Sequence, residues 1–377
     1  MVCMTKLVAC IFAAVLLITP ALPAQSTERA TPDDTARFLA GLRPSPASPL
    51  NTLTKSAVWQ THAARFNAAF GLKDTGSLSK IRVFATKEIP QSDRPLLYFF
   101  SGPDFLYANA FFADAATYVL SGLEPTGEIP RIEELNPRAL EYTLHNAERS
   151  LSSVLSLSFF QTNDMRSQLK TGPVFGTLPL LYVFLARAGK TVIEAEAIVL
   201  DQDGNVREAD AGRKGGDIGE ASQDGARGAR IVFSDKNHFR QTLYYFSGDV
   251  SNDGLRKSRL LKFCGKLGQS NAFIKSASYL LHRDRYADLR TFILKQSTLV
   301  LQDDSGIPLS YFDSSKWELQ PFGNYVGPIP LFRNRYQTSL ARLFRASDRK
   351  GIDFGVGYQW RRNNSNLLLA TKKELGL

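Results

Sequence analysis

The run Leu96-Leu97-Tyr98-Phe99-Phe100, halted by Ser101-Gly102-Pro103-Asp104, decides how the rest of the chain is read. An apolar and aromatic run without alternation, closed by turn formers, describes a strand covered on both faces. Such strands belong to parallel sheets lying between layers of helix. The same grammar recurs downstream. Thr117-Tyr118-Val119-Leu120 stops at Ser121-Gly122-Leu123-Glu124-Pro125, and Leu157-Ser158-Phe159-Phe160 stops at Gln161-Thr162-Asn163-Asp164. Between them, Leu140, Leu144, Leu151 and Val154 recur at helical spacing. Thr177 opens an all-apolar helix with Pro179 at an early position and Gly189 as its stop; a strand from Val192 to Leu200 and an Asp203-Gly204 turn follow. Short apolar runs alternating with helices predict an α/β fold.

Downstream the pattern repeats. Leu243-Tyr244-Tyr245-Phe246-Ser247-Gly248 matches Leu97–Gly102 at five of six positions. Ala277–Leu281 resembles Ala116–Leu120, which makes it a strand ending at His282, and Leu301–Ser305 loosely resembles Phe160–Asp164. The shared order predicts two related lobes with mainly parallel sheets flanked by helices, although Tyr98 to Tyr118 spans 20 residues and Tyr244 to Tyr279 spans 35. From Asp201 to Arg230 there are seven Gly, seven acidic and five basic residues with few large apolar side chains, a composition that builds no core. It reads as a flexible linker or loop. The expected organisation is a helical N-terminal arm over residues 25–90, a first lobe over 91–200, the linker over 201–230, and a second lobe with a basic C-terminal region over 231–377. In the arm, Thr31-Pro32-Asp33-Asp34 opens a helix, Pro44–Pro49 is a connector, and a second helix runs from Leu53 to Phe70 and closes at Gly71. In the second lobe, Trp317–Phe332 reads as an aromatic loop and Asp353–Trp360 as the last strand.

Residues 1–24 read as an export signal rather than as fold: Lys6, then the apolar run Leu7–Ile18, then Thr19-Pro20-Ala21-Leu22-Pro23-Ala24. The run is too short to span a bilayer. The expected location is therefore periplasmic or extracellular, with no transmembrane segment in the mature chain. Cleavage after Ala24 removes Cys3 and Cys10 and leaves Cys264, so no internal disulfide is expected.

The chain carries a formal net charge of +10, and from Arg333 to Leu377 ten basic residues face three acidic ones. The excess suits an anionic partner, namely a small molecule, a lipid or a polysaccharide. Arg361 and Arg362 are contact candidates, as are Arg256, Lys257 and Arg259 on a basic helix expected from Gly254 to Lys266. No nucleic-acid-binding motif is present.

Open parallel sheets take ligands beyond the carboxyl ends of their strands. On this reading those ends hold Asp104, Glu124, Asp164, Asp303 and Asp304, with His282 beside them. Paired carboxylates divide into acid and base, or hold a divalent cation; the pattern allows the cation without requiring it. There is no His-Glu-x-x-His, no paired Cys for zinc, no phosphate loop before Gly189-Lys190-Thr191, and no Gly two residues before Ser101, Ser121 or Ser247 to make a nucleophile elbow. The first expectation is an exported, non-catalytic protein that binds a polar or anionic ligand. Two alternatives stand beside it: a hydrolase using the strand-end carboxylates, and a structural module that docks through Trp317–Phe332.

Overall fold

In the computed structural model, which describes residues 29–157, 159, 169, 172–209, 225–346 and 348–373, the run that begins at Leu96 is a central strand, buried on both faces. This strand, β1 (Leu96–Tyr98), pairs in parallel with β2 (Thr117–Gly122) on one side and β7 (Ser270–Ile274) on the other. β2 pairs in parallel with β6 (Arg240–Ser247), and β7 with β8 (Ser297–Gln302). Antiparallel strands extend both flanks. On one, β6 leads to β5 (Arg227–Ser234), β3 (Thr191–Leu200) and β4 (Val206–Glu208). On the other, β8 leads to β10 (Asn366–Lys372) and β9 (Trp317–Gly323). The order across the sheet is β4-β3-β5-β6-β2-β1-β7-β8-β10-β9.

The α/β expectation stands. The two-lobe and mainly parallel details do not match this sheet. The matching runs at Leu97–Gly102 and Leu243–Gly248 lie on β1 and β6, two strands of one sheet with β2 between them. Their likeness reflects a shared environment, since any strand covered on both faces selects the same residue types. Among the described residues, five of the nine strand pairings are antiparallel. Apolar runs report burial and not strand direction, so the pattern could not separate the two.

Strand alternation divides the core between the two faces. Tyr98, Tyr118, Leu120, Phe273 and Leu301 point to the first face. There they meet α1 (Pro32–Leu39), α2 (Ala57–Lys73), α3 (Ser79–Glu88), α4 (Phe105–Phe111), α5 (Pro137–Leu157) and α6 (Leu178–Arg187). Leu97, Val119, Ala272 and Val300 point to the second face, against α7 (Asn252–Ser258), α8 (Leu260–Lys266) and α9 (Ala287–Gln296). A last helix, α10 (Thr338–Ala346), sits beside the edge strands.

Several local expectations change. The predicted stop at Gly71 is passed, and α2 runs through one π-helical turn (Asp74–Leu78) into α3. The basic helix breaks at Arg259, whose φ is 63°, because the Ser258 carbonyl is diverted to accept from Ala226 N at the start of β5. Ala277–Leu281 is not a strand: Ser278 and Tyr279 are left-handed, and Leu280–His282 form one 3-10 turn. Trp317–Gly323 is a strand rather than a loop, and the last strand is Asn366–Lys372 rather than Asp353–Trp360. Of the linker, Asp201–Asn205 forms the turn of the β3–β4 hairpin and β5 begins at Arg227, while 210–224 lie outside the described residues. Residues 1–24, read above as an export signal, and Asp164 also lie outside them.

Candidate functional site

β1 and β7 are neighbours whose connections leave in opposite directions, β1 through α4 to β2 and β7 through α9 to β8. The helices lie on opposite faces of the sheet. This is a topological switch point, where an open sheet leaves a crevice beyond its carboxyl ends. The residues just past these ends are Asp104, Lys275 and the pair Asp303-Asp304.

The alternation that buries Tyr98, Phe273 and Leu301 on the first face continues to Lys275 and Asp303, two positions further along β7 and β8. Lys275 Nζ lies 2.7 Å from Asp104 Oδ2, with both side chains no more than 2% exposed. The same oxygen accepts from Tyr98 Oη at 3.0 Å, and Oδ1 accepts from Tyr107 N at 3.2 Å, so Asp104 also caps α4. Lys275 Nζ sits 4.0 Å above the Tyr107 ring. Lys73, half-buried at the end of α2, approaches the same ring at 5.4 Å. Burial, and then repulsion from Lys275, lower the Lys73 ammonium to about 8.

Asp303 accepts from Ser276 N at 2.9 Å and from Ser305 N and Oγ at 3.0 and 2.5 Å. Gly357, at φ 69°, lies so close that a Cβ there would collide with the carboxylate. Asp304 accepts from Tyr279 Oη at 2.6 Å and Asn366 Nδ2 at 3.3 Å. Burial raises both carboxyls. Hydrogen bonds from Ser305 and Ser276, and then the Lys275 charge, oppose the rise at Asp303. The neighbouring Asp303 charge adds to it at Asp304, which reaches about 7. Together with Tyr98, whose hydroxyl is raised by burial and the Asp104 charge, these groups form one buried polar network across β1, β7 and β8.

The backbone here is strained. Phe100, Ser276, Ser278 and Tyr279 all have φ between 52° and 63°, at about 1–3 kcal/mol for each such residue. They lie just past β1 and β7. Arg290, buried on α9, holds the second turn by donating to Leu281 O at 2.6 Å. Two polar atoms past the strand ends, Ser276 Oγ and His282 Nε2, and one near the end of β2, Ser121 Oγ, are buried without a partner among the described residues. Burial, and then the Arg335 charge, hold the His282 imidazole down at about 4, against the pull of a hydrogen bond to the Gly306 backbone.

The expected residues therefore sort as follows. Asp104, Asp303 and Asp304 share the network, and His282 stands beside Tyr279 with ring centroids 5.2 Å apart. Glu124 is buried one strand further out, past β2, where Tyr245 Oη donates to its backbone oxygen at 2.9 Å. Lys275 and Lys73 were missed. Lys275 has a legible signal, since it follows the apolar Ala272-Phe273-Ile274 at a strand end, but an isolated lysine there lacks the recurrence that marks the strand-end acids. Lys73 is brought in by helix packing and left no local mark.

The surface candidates lie elsewhere. Arg256 pairs with Asp253, Lys257 is exposed, and Arg259 is half-buried at the α7–α8 break. Arg361 and Arg362 line a surface hollow with Asn363 and Asn364. Of the aromatic segment, Trp317 and Phe322 are buried, whereas Val326 and Leu331 are exposed. Among the described residues, no three His, Cys, Asp or Glu side chains converge as a metal site, and no helix is long and apolar enough to cross a membrane. Cys264 is buried, and burial raises its thiol. No protein-family model matches the chain, and a search of curated proteins returns no match.

Proposed function

We propose that the protein is exported and binds a small polar ligand at the β1–β7 switch point, with the Lys275–Asp104 pair as the charged floor of the site. One observation carries this reading: an ion pair almost wholly out of water joins the two loops that diverge at the switch point. Burying two charges is unfavourable unless their pairing compensates, and apolar packing of the same volume is often as stable. The strained turns on either side and the unpartnered Ser121 and Ser276 hydroxyls support a role beyond packing. The test is native mass spectrometry of the chain purified from its own cells without chelator, alongside Lys275→Met. An organic adduct on the wild type that the variant lacks is the expected result; the same bare mass for both refutes the reading.

A second reading, acid–base chemistry on the ligand, rests on Asp304. A carboxyl held near 7 divides between its two forms at neutral pH, the condition that general acid–base catalysis needs. On this reading Asp304→Asn retains the adduct and stops its turnover. The divalent cation that the sequence allows without requiring is weighed by the same spectrum, as a metal mass in place of an organic one.

A further inference from the structure

The layer above Asp304 is built from the β9–β10 connection. Gln337 Nε2 donates to Asp304 O at 3.2 Å, and Phe332 packs on Tyr279 and Tyr358 with ring centroids 5.0 and 5.4 Å away. The outer side of this layer is unusual for a protein surface. Leu331 is 78% exposed, Val326 54%, Tyr336 52% and Trp360 40%. The segments that carry Val326, Tyr336 and Trp360 are in contact, and Leu331 lies on the same connection beside Phe332. The Tyr325 and Tyr336 rings stack at 5.5 Å, Tyr336 lies against Gly327, and Gln359, next to Trp360, donates to Gly327 O at 2.7 Å.

The charge around this patch has one sign. Residues 324–346 hold Arg333, Arg335, Arg342 and Arg345 with no acid, and residues 354–365 hold Arg361 and Arg362 with no acid. None of the six forms an ion pair among the described residues, and Arg361 instead lies over the Trp360 ring at 5.5 Å. Exposed aliphatic side chains are what separate the candidate partners. A polyanion offers them nothing. A bilayer takes Leu331 and Val326 into its acyl boundary, seats Tyr336 and Trp360 at headgroup depth, and meets arginine with phosphate.

We propose that this face docks on a bilayer containing anionic lipid, through Leu331 and Val326 as wedges and the surrounding arginines as headgroup contacts. The inference is independent of the ligand reading, since it uses only the outer side of the layer. Of the chain's three tryptophans, Trp59 and Trp317 are buried, so Trp360 is the natural reporter.

The test is tryptophan fluorescence and co-sedimentation of the full chain with vesicles of phosphatidylcholine, alone or mixed with phosphatidylglycerol. A blue shift and binding with the mixed vesicles only are expected. In the same background, Arg361→Gln/Arg362→Gln weakens binding about 25-fold, at about fivefold per arginine near an anionic surface. Leu331→Ser weakens it about tenfold or more, the partition of one leucine side chain. Arg256→Gln/Lys257→Gln, on α7 against the second face of the sheet, leaves it unchanged, and unaltered circular dichroism shows that the exposed changes spare the fold. No binding to the mixed vesicles overturns the proposal. So does equal loss on changing Arg256 and Lys257, which indicates diffuse charge. Arginine dependence without Leu331 dependence also overturns it, and indicates a soluble polyanion as the partner.

Discussion

Replacing Lys275 by Met tests the centre of the molecule directly. Methionine nearly matches the lysine stem in volume and removes only the ammonium, leaving the Asp104 side chain 2% exposed and without its counter-charge. Breaking a buried pair from one side is typically destabilising by about 3–5 kcal/mol. Asp104 keeps its bonds from Tyr98 Oη and Tyr107 N, so the lower end, about 3 kcal/mol, is expected. Asp104→Asn leaves the ammonium stranded and should behave similarly. The double variant carries neither charge, and the amide oxygen still accepts from Tyr98 and Tyr107. It should therefore recover about 2 kcal/mol or more relative to the sum of the single changes. Urea unfolding followed by circular dichroism measures all four proteins. A single-variant loss below about 1 kcal/mol, or strict additivity, would mean that the pair is solvated like a surface salt bridge. The dry switch point would then be wrong.

Two further outcomes follow from the same network. Asp304 is raised from 3.8 to about 7, so its contribution to stability is complete below about pH 4 and is lost as pH rises through about 7. His282 acts in the opposite sense, losing stability as pH falls from 6.5 towards about 4. The difference in thermal midpoint between wild type and Asp304→Asn cancels the histidine, and it should move in favour of the variant from pH 5 to pH 8; a difference constant with pH contradicts the assignment. Gly357→Ala forces a Cβ onto the Asp303 carboxylate at a left-handed φ, and should lower stability by more than about 1 kcal/mol. Gly351→Ala, with nothing near its added Cβ, should be close to neutral, and equal midpoints for the two variants would refute the close approach.

What the sequence determined was whatever depends on neighbours along the chain. The Leu96–Phe100 run is buried on both faces, Thr31 caps α1, the Leu178–Leu185 run is a core helix, and Asp203-Gly204 turns a hairpin. Four acids, Asp104, Glu124, Asp303 and Asp304, could be placed at strand ends because an apolar run followed by turn residues marks a strand's carboxyl end without any knowledge of its partners. Strand direction and order were decided only in three dimensions. A buried parallel strand and a buried antiparallel one select the same side chains, so β1 and β6 looked like the cores of two lobes when they are strands of one sheet. The breaks at Arg259 and Tyr279 were equally hidden: Ala226 captures the Ser258 carbonyl from far along the chain, and the Asp304 carboxylate takes the Tyr279 hydroxyl. The same holds for the site. Asp104 and Lys275 are 171 residues apart, and only the pairing of β1 with β7 puts a carboxylate and an ammonium in contact where neither can reach water.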